Sequence, residues 1–451
     1  MSLALNEYIL DDIVNITSNK VDTKNLVLQQ YISTENMLPD RKGISLAASM
    51  PLGKVNQFLK NDTLFSNIRT YFRKVWFSSF DGGSSPDVLI FRAKDVEVLD
   101  PRFLYYLISD QKFIDYSDKT SKGAKMPRGD KSAILNYKTY LPALSIQKRI
   151  SQILSDLDDK IHLNNQINQT LESIAQAIFK SWFVDFEPVR AKITAKQTGQ
   201  DPEFAAMCAI SGKSEAELEQ MAKEDFAELQ ATAALFPDEL IESELGEVPK
   251  GWEVSNFKGF CKKIESGGTP KRSELHYWNG EIRWLSSGEV RETVVLDTKE
   301  KITKTGLLNS SAKLWEKYTT VIAMYGATAG QVCLLANEMA ANQACCGLIP
   351  KDEFKSFAFL IARNSVRSLS DKASGSAQQN LNKGIIENQP CVLPRLSVAR
   401  NFENLVFPLL RKWLANSEEN IRLSVIRDSL LPKLLSGEVD VSGLQDEGID
   451  G

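Results

Sequence analysis

Residues 145–190 read SIQKRISQILSDLDDKIHLNNQINQTLESIAQAIFKSWFVDFEPVR, a stretch without glycine whose single proline stands third from its end. Apolar residues recur through it in steps of three, four or six, which is typical of a coiled-coil seam. They are Ile150, Ile153, Leu157, Ile161, Ile167, Leu171, Ile174 and Ile178, and Asn164 fills the missing position. The sequence therefore predicts one continuous helix here, a rod about 60 Å long at the usual rise per residue.

Such a rod needs a partner for its apolar stripe, because propensity alone does not hold an exposed helix in water. A second series at helical spacing precedes the text LLPKLLSGEVDV, and it comprises Val398, Phe402, Leu405, Leu409, Trp413, Ile421 and Val425. We expect the two helices to form an antiparallel pair in which Asn164 fixes the register at some cost in stability. The alternative is two separate surface helices, each packed on its own domain.

The text before each helix is repeated. Residues 113–145 (FIDYSDKTSKGAKMPRGDKSAILNYKTYLPALS) align with residues 366–397 (VRSLSDKASGSAQQNLNKGIIENQPCVLPRLS). At an offset of 252, Gly123 meets Gly375, Lys131 meets Lys383, Ile134 meets Ile386 and Pro142 meets Pro394. Each copy opens with alternating β-branched and aromatic text and continues into helical text and a polar loop. The predicted fold is therefore α/β (α+β), with two mixed domains separated by two long antiparallel coiled-coil-like helices in a pseudo-twofold repeat.

This pattern predicts six segments. They are a first domain over 1–144, a central helix over 145–190, an acidic helical insert over 191–247, a second domain over 248–396, a C-terminal helix over 397–437 and a flexible tail over 438–451. A symmetric pair of domains suits duplex DNA, because a symmetric reader contacts two half-sites at a spacing that its own geometry sets.

The charge is unevenly distributed. The chain carries a net charge of −4, but residues 196–247 hold 13 acidic and three basic residues, so the remainder of the chain is at +6. Between residues 119 and 138 a single acid, Asp130, faces a basic run made of Lys119, Lys122, Lys125, Arg128, Lys131 and Lys138. The acidic insert thus masks basic domains, although a basic run is also typical of an ordinary solvated face.

Other compositional signals favour a cytoplasmic protein. No apolar run approaches the roughly 20 residues of a membrane span, and the first residues lack the features of a signal peptide. The six cysteines show neither zinc-ligand spacing nor a disulfide pattern, so we expect free thiols.

Four segments together resemble the specificity subunit of type I restriction–modification enzymes. They are LPALSIQKRISQILSDLDDKI with IAQAIFKSWFVDFEPVRAK, FPDELIESELGEVPKGWEV, SGGTPKRSELHYWNGEIRWLSSGEV and RDSLLPKLLSGEVDV. The resemblance covers nearly the whole chain and is least distinctive in the first half of the first domain. It implies a DNA-reading subunit in which two target-recognition domains each read one half of an asymmetric, bipartite site. It further implies that the helices set the unread gap and dock two methyltransferase subunits.

The resemblance also implies a division of labour between subunits. The partner subunits would methylate adenine at N6 with S-adenosylmethionine, and restriction or motor subunits would translocate and cleave DNA with ATP and Mg. This chain has no Pro-Pro pair for an adenine methyltransferase loop. MCAISGKS has Met207 where a P-loop needs its first glycine, and GATAGQ (326–331) has no lysine. His162 and His276 lie far apart in the sequence. The sequence therefore predicts no catalytic site, metal or cofactor in this chain.

A structural or adaptor protein with two protein-binding heads on a helical rod is the alternative function. It accounts for the rod and the repeat, but it accounts less well for polar loops at equivalent positions of both copies, since loops carry binding residues.

The candidate DNA contacts lie mainly in those loops. Lysine and arginine contact phosphates or guanine, and glutamine and asparagine pair with adenine. The candidates are Arg69, Arg73, Lys74, Lys122, Lys125, Arg128 and Lys131 in the first domain, and Lys271, Arg272, Gln378, Gln379, Asn380 and Lys383 in the second. The turn SGGTPKR (266–272) and the stretch YGATAG (325–330) are equally typical of tight turns needed for packing.

Overall fold

The structure is a computed structural model that describes residues 4–123, 127–374 and 380–443. For Ser374 it describes the backbone only. The chain forms two compact units. Unit 1 comprises the described residues of 1–162 and 420–451, and unit 2 comprises those of 163–419. Each long helix contributes one part to each unit. In the described part of the chain, no helix combines the length and apolarity that crossing a membrane requires.

Unit 1 is a mixed α/β structure with three sheets. Its strands are β1 (Asn6–Ile9), β2 (Val14–Ile16), β3 (Lys20–Asp22), β4 (Tyr31–Ile32), β5 (Lys54–Phe58), β6 (Thr63–Ser66), β7 (Val75–Phe77), β8 (Gly82–Ser84), β9 (Val88–Ala93) and β10 (Lys138–Leu141). Its helices are α1 (Leu10–Ile13), α2 (Pro101–Ser109), α3 (Gln111–Lys119), α4 (Lys131–Leu135) and the first part of α5 (Leu144–Phe183). The sheet orders are β2-β9-β6-β7, β3-β5-β8-β4 and β1-β10.

The core of unit 1 lies between the first of these sheets and the helices. Strand β6 is buried along its whole length, as expected for a central strand covered on both faces. Phe65, Phe91 and Phe113 pack edge to face at centroid distances of 5.7 to 6.2 Å. Ile150 of α5 and Leu431 of the C-terminal long helix join the same core, so both long helices close this unit.

Unit 2 has the larger set of elements. Its strands are β11 (Leu240–Ser243), β12 (Gly246–Pro249), β13 (Glu253–Asn256), β14 (Cys261–Ser266), β15 (Trp278–Leu285), β16 (Val294–Val295), β17 (Glu300–Ile302), β18 (Thr320–Ala323), β19 (Val332–Leu335), β20 (Ala340–Ala341), β21 (Cys345–Pro350) and β22 (Pro390–Leu393). Its helices are α6 (Glu187–Thr198), α7 (Pro202–Ser211), α8 (Glu215–Glu219), α9 (Lys223–Ala233), α10 (Lys304–Leu308), α11 (Lys355–Asn364), α12 (Val366–Ser374), α13 (Lys383–Glu387) and the first part of α14 (Leu396–Leu435). The larger sheets run β14-β21-β18-β19-β16 and β17-β15-β20.

The predicted repeat is confirmed by the topology of the two units. Sheet β2-β9-β6-β7 of unit 1 matches β14-β21-β18-β19 of unit 2, and the pair β1-β10 matches β13-β22. Even the register is the same, because Thr63 faces Phe91 and Thr320 faces Leu348, an offset of 257 in both strands. The first residues of helices α5 and α14 are 252 residues apart, and so are their last residues.

The central helix is shorter than the predicted 145–190. It ends at Phe183, because the amides of Val184 and Asp185 both donate to the carbonyl of Lys180 and Phe186 adopts a left-handed conformation (φ 52°). The Phe186 side chain is buried against Trp252, and burying this ring accompanies the break. Pro188, in the first turn of the next helix, marks this end in the sequence, and the prediction carried the helix past it.

The antiparallel pairing is confirmed within each unit, but the seam differs from the predicted one. In unit 2 the buried Asn164 donates to Glu419 (Nδ2 to Oε2, 2.9 Å), and Asn416 donates to Asn168 (3.0 Å). These amides hold the centre of the seam. Four residues predicted for the seam are exposed instead: Ile174 and Leu405 in unit 2, and Ile421 and Val425 in unit 1.

The insert and the tail also differ from the predictions. The insert is helical through Ala233 and then forms the hairpin β11-β12, which extends past the predicted boundary at 247. The tail, predicted to be flexible from residue 438, makes contacts with the rest of unit 1 as far as Ser442. Val441 is buried, and its carbonyl and that of Ser442 accept from Arg149 Nη1 at 2.9 and 3.0 Å. Residues 444–451 lie outside the described part.

Candidate nucleic-acid interface

The connection from β6 to β7 forms a tight loop in unit 1. Residues Thr70–Phe72 make one 3₁₀ turn. Arg69 and Arg73 flank the turn, and both have left-handed backbones, with φ of 51° and 52°. The amide of Ser66 donates to the carbonyl of Lys74 (3.0 Å), which closes the base of the loop. We call residues 69–73 the tip loop of unit 1.

A second loop, residues 127–131, lies directly beside the tip loop. The Arg69 amide donates to the Pro127 carbonyl (3.1 Å), and the Gly129 amide donates to the Asn67 carbonyl (3.1 Å). A Cβ atom at Gly129 would lie 2.5 Å from the side-chain oxygen of Asn67, so glycine allows this approach without displacing the Asn67 side chain. The two loops therefore form one surface, on which the structure brings together Arg69, Lys122, Arg128 and Lys131.

The cations of this surface differ in how they are paired. Lys122 forms an ion pair with Asp130, and the pKa of that carboxyl is lowered chiefly by its hydrogen bond from Lys122. Arg128 lies 3.2 Å from Asp87. Arg69 and Lys131 are exposed, and their side chains make no ion pair within the described residues. Exposed ion pairs are weak, so phosphates can compete for Lys122 and Arg128.

Arg73 and Lys74, also predicted as DNA contacts, are engaged inside unit 1. Arg73 Nη1 lies 3.7 Å from Asp428 on α14, with 21% of its side chain exposed. Lys74 Nζ donates to the Thr34 carbonyl at 2.6 Å, and partial burial lowers its pKa against the opposing effect of Glu35. These two side chains hold the base of the tip loop, while their role in binding DNA stays a prediction.

The sequence reasoning missed two aromatic residues at this surface. Tyr71 and Phe72 are 49% and 40% exposed, and their ring centroids are 4.7 Å apart. The text RTYFRKVWF resembles an alternating strand, and so it gave no sign that two of its rings stand in solvent. Exposed aromatic side chains beside cations are typical of nucleic-acid surfaces, where rings pack on sugars and bases.

Unit 2 repeats the loop pair with different side chains. The turn Gly326–Thr328 follows β18, and the flanking Gly326 and Gly330 have φ of 71° and 84°. The Leu381 amide donates to the Met324 carbonyl (2.8 Å), the counterpart of the bond between Gly129 and Asn67.

The candidate residues of the neighbouring loop in unit 2 are only partly described. Asn380 is the first residue of the described range 380–443, and it is partly buried. Lys383 starts α13 and pairs with Glu387 at 3.1 Å. Gln378 and Gln379, like Lys125 of unit 1, lie outside the described residues.

Lys271 and Arg272 lie on a turn joined to this loop pair through residues 343–344. Thr269 bonds to Gln343, and the Met324 amide donates to the Ala344 carbonyl at 2.7 Å. The Arg272 guanidinium lies 3.8 Å from the centroid of the Trp278 ring. It also pairs with Glu300, and the hydrogen bond to this carboxylate raises the pKa of Arg272. Lys271 is exposed. Arg272 is thus held by a stack and an ion pair, whereas Lys271 is available to solvent.

Metal ligands and thiols are the other side-chain groups that could carry chemistry. Within residues 4–123, 127–374 and 380–443, no cluster of three or more His, Cys, Asp or Glu could hold a metal ion. All six cysteines are free thiols, and five of them are buried. What the two surfaces offer is cations, aromatic rings and backbone donors on loops, which is the chemistry of DNA contacts.

Comparison with known proteins gives a consistent family. The model described as the type I restriction modification DNA specificity domain matches residues 6–173 and 249–400. Both matched segments end inside a long helix, so the family model covers both copies of the repeat.

Individual proteins agree with this family match. The type I restriction enzyme HindI specificity subunit of Haemophilus influenzae is 31% identical over 96% of this chain and 99% of its own length. The MjaIX specificity subunit of Methanocaldococcus jannaschii is 25% identical over 76% of this chain and 70% of its own. The crystal structure of a type I S subunit from M. genitalium shares the fold, with a TM-score of 0.55 and 13% identity over 96% of both chains.

Proposed function

Because this chain belongs to the type I restriction–modification DNA specificity family, we propose that its two units each read one half of a bipartite, asymmetric DNA site. The chain supplies sequence recognition for a larger enzyme and leaves the chemistry to its partners. In this proposal, cytoplasmic modification subunits use S-adenosylmethionine to methylate adenine at N6, and restriction subunits use ATP and Mg.

One observation carries the proposal: the same loop pair occurs in both units on the same strands, with different side chains. A shared backbone with different side chains fits two readers of one kind that recognise different bases. The tip loop of unit 1 presents Arg69 and Tyr71 where unit 2 has Gly326 and Thr328, whereas Lys131 and Lys383 occupy equivalent positions. Contacts to phosphates position such a protein, while contacts to base edges specify the sequence.

The long helices support the second part of the proposal, the docking of two modification subunits. Large apolar side chains stand exposed on them, Leu163, Ile174 and Leu405 in unit 2 and Ile421, Val425 and Ile426 in unit 1. Exposed apolar side chains on helices that already have a partner are typical of protein interfaces. We propose that these faces bind the modification subunits and that the helices set the unread gap between the half-sites.

Retardation of duplex DNA tests the proposal against the adaptor alternative. The full chain, mixed with its modification subunit, should retard duplexes that carry the sequence motif methylated by the complete enzyme. It should retard duplexes in which that motif is scrambled less strongly. The affinity should fall steeply as salt rises, because phosphate contacts release counterions. Equal affinity for both duplexes would favour the adaptor. Turnover of S-adenosylmethionine or ATP by the highly purified chain alone would contradict the division of labour.

A further inference from the structure

We propose that the tip loop of unit 1 is the base-reading element of its half-site and that Arg69 recognises a guanine there. This inference rests on the proposed function of unit 1 as a DNA reader, and it goes beyond it by assigning the reading to one loop and one side chain.

The argument begins with the backbone that the two tip loops share. At the offset of 257 that relates β6 to β18, Arg69 corresponds to Gly326 and Arg73 corresponds to Gly330. All four residues have a left-handed φ, between 51° and 84°. A 3₁₀ turn lies between Arg69 and Arg73, and in unit 2 the corresponding turn begins at Gly326 and ends before Gly330. The conformation is thus a property of this loop position in both units.

Glycine is the residue that this conformation favours, because a Cβ atom is unfavourable there. Unit 2 has glycine at both positions, whereas unit 1 has arginine at both. A strained conformation kept by residues with side chains points to a role for those side chains. Arg73 has such a role inside the protein, since its guanidinium faces Asp428 and its carbonyl accepts from the Arg41 amide at 3.2 Å.

Arg69 has no comparable role inside the described protein. Its amide and carbonyl bind Pro127 and Phe72 at 3.1 and 3.0 Å. Its side chain is exposed and makes no hydrogen bond or ion pair with the described residues. The backbone is therefore fixed while the guanidinium is available, which is the arrangement a reading side chain requires.

The chemistry of the guanidinium names the base. Its parallel N–H groups match the O6 and N7 acceptors of guanine in the major groove, the commonest specific contact of arginine with DNA. The exposed rings of Tyr71 and Phe72 lie two and three residues after Arg69 and are placed to pack on the sugars or bases beside that guanine. Lys131 and Arg128 on the adjoining loop are placed for the flanking phosphates.

The variant Arg69→Gly tests this assignment without the usual risk of misfolding. It removes the guanidinium and also relieves the left-handed strain, and Gly326 shows that this frame accepts glycine. Lys24→Ala, which removes an exposed cation from the 3₁₀ turn after β3, is the matched control. Thermal unfolding of both full-length variants first checks that each is folded as well as the wild type.

The measurement is competition binding by the full chain with its modification subunit, using duplexes in which each base pair of the wild-type motif is replaced in turn. For the wild type, replacing one G·C pair of the unit 1 half-site should weaken binding about tenfold to a hundredfold. For Arg69→Gly that penalty should disappear at this pair alone, with the other half-site unchanged. Lys24→Ala should keep the wild-type pattern.

Two results would overturn the assignment. One is a folded Arg69→Gly variant with the wild-type penalty at every pair, and the other is a uniform weakening without change at any pair, which would make Arg69 a phosphate contact. Neither result would contradict the proposed function. That function would be contradicted by a different result, in which replacing any base pair of the motif leaves the affinity of the wild-type chain unchanged.

Discussion

At the scale of single residues, contacts within unit 1 decide which candidate side chains are available for DNA. Arg73 and Lys74 looked equivalent to Arg69 in the sequence, but Asp428 and the Thr34 carbonyl engage them. Asp428 lies more than 350 residues away in the chain, so no local pattern reveals it. Arg69 keeps an unfavourable conformation at a cost of about 1–2 kcal/mol, which only the backbone angles disclose.

Glu403 illustrates a residue whose behaviour depends wholly on its surroundings. It is a buried carboxyl on α14 that accepts from the Ser356 amide at 2.9 Å, in the first turn of α11. Burial raises the pKa of Glu403 to about 7. The hydrogen bond from Ser356 and the charge of Lys355 oppose this rise, and the charge of Asp352 adds to it.

We predict that Glu403→Gln is less sensitive to pH than the wild type. Because the pKa is raised in the folded state, the folded protein binds a proton that the unfolded chain has lost, so stability falls as pH rises from about 4.5 through 7. The variant should lack this loss and be more stable than the wild type at pH 8, by about 1–2 kcal/mol. Chemical denaturation at pH 5 and pH 8 measures the difference.

The control for this prediction is Glu228→Gln, which changes an exposed glutamate on α9. It should follow the wild-type pH profile. Glu403→Gln and wild type losing stability in parallel would show that Glu403 is not the titrating group.

At the scale of elements, the pairing of the long helices was predictable and the composition of their seam was not. The periodicity of apolar residues predicted two long helices, and the structure contains both as α5 and α14. It could not show that Asn168, Asn416 and Glu419 would share the seam with Asn164, because hydrogen bonds between side chains 248 or 255 residues apart leave no periodic signal. Predicted seam residues such as Ile174 lie at the surface instead, where they are candidates for binding a partner.

In unit 1 the helix pair is held by charge. Arg427 on α14 reaches Asp158 on α5 at 2.5 Å and Asp428 at 2.9 Å, and Tyr106 donates to the other oxygen of Asp158 at 2.8 Å. Only 8% of the Arg427 side chain is exposed, against 24% for Asp158 and 37% for Asp428. Since Arg73 of the tip loop also faces Asp428, this cluster connects the tip loop to the long helices.

We predict that Arg427→Met destabilises the protein by about 2 kcal/mol, because Asp158 loses its arginine partner and Asp428 keeps only Arg41 and Arg73. The estimate is lower than for a fully buried cluster, since water reaches both carboxylates. Arg422→Met, an exposed arginine of the same helix, should change the free energy of unfolding by less than about 0.5 kcal/mol. Urea denaturation compares the two variants, and equal effects would contradict the role given to the cluster.

At the scale of the whole molecule, the chain places its two readers in units that are discontinuous in sequence. The repeat at offset 252 showed two copies, yet it suggested that each copy ends where its helix begins. The structure adds residues 145–162 and 420–443 to unit 1, because Ile150, Leu154, Leu434 and Val441 complete its core. Such long-range packing cannot be read from either copy alone.

This division predicts how specificity can be exchanged. Replacing residues 1–162 together with 420–451 by the corresponding segments of a relative should change one half of the methylated motif and leave the other half unchanged. Replacing residues 1–144 alone should give a less stable protein, since the new domain would meet foreign helices. Sequencing methylated DNA from cells that carry each chimera tests both statements, and a change in both halves would show that the units do not read independently.

The length of the helices should set the gap between the two half-sites. Seven residues inserted after His162 and seven more after Glu419, both with heptad patterning, fall at the boundary between the units and so preserve the contacts inside each one. The insertions add about 10 Å of helix, so the methylated motif should gain about three base pairs at about 3.4 Å each, with both half-sites unchanged. The same seven residues inserted after Gly212, in the exposed connection between α7 and α8, should leave the gap as it was. A helical, active double insertion whose motif keeps the original gap would instead assign the spacing to the modification subunits, because the helices would then have lengthened without moving the readers.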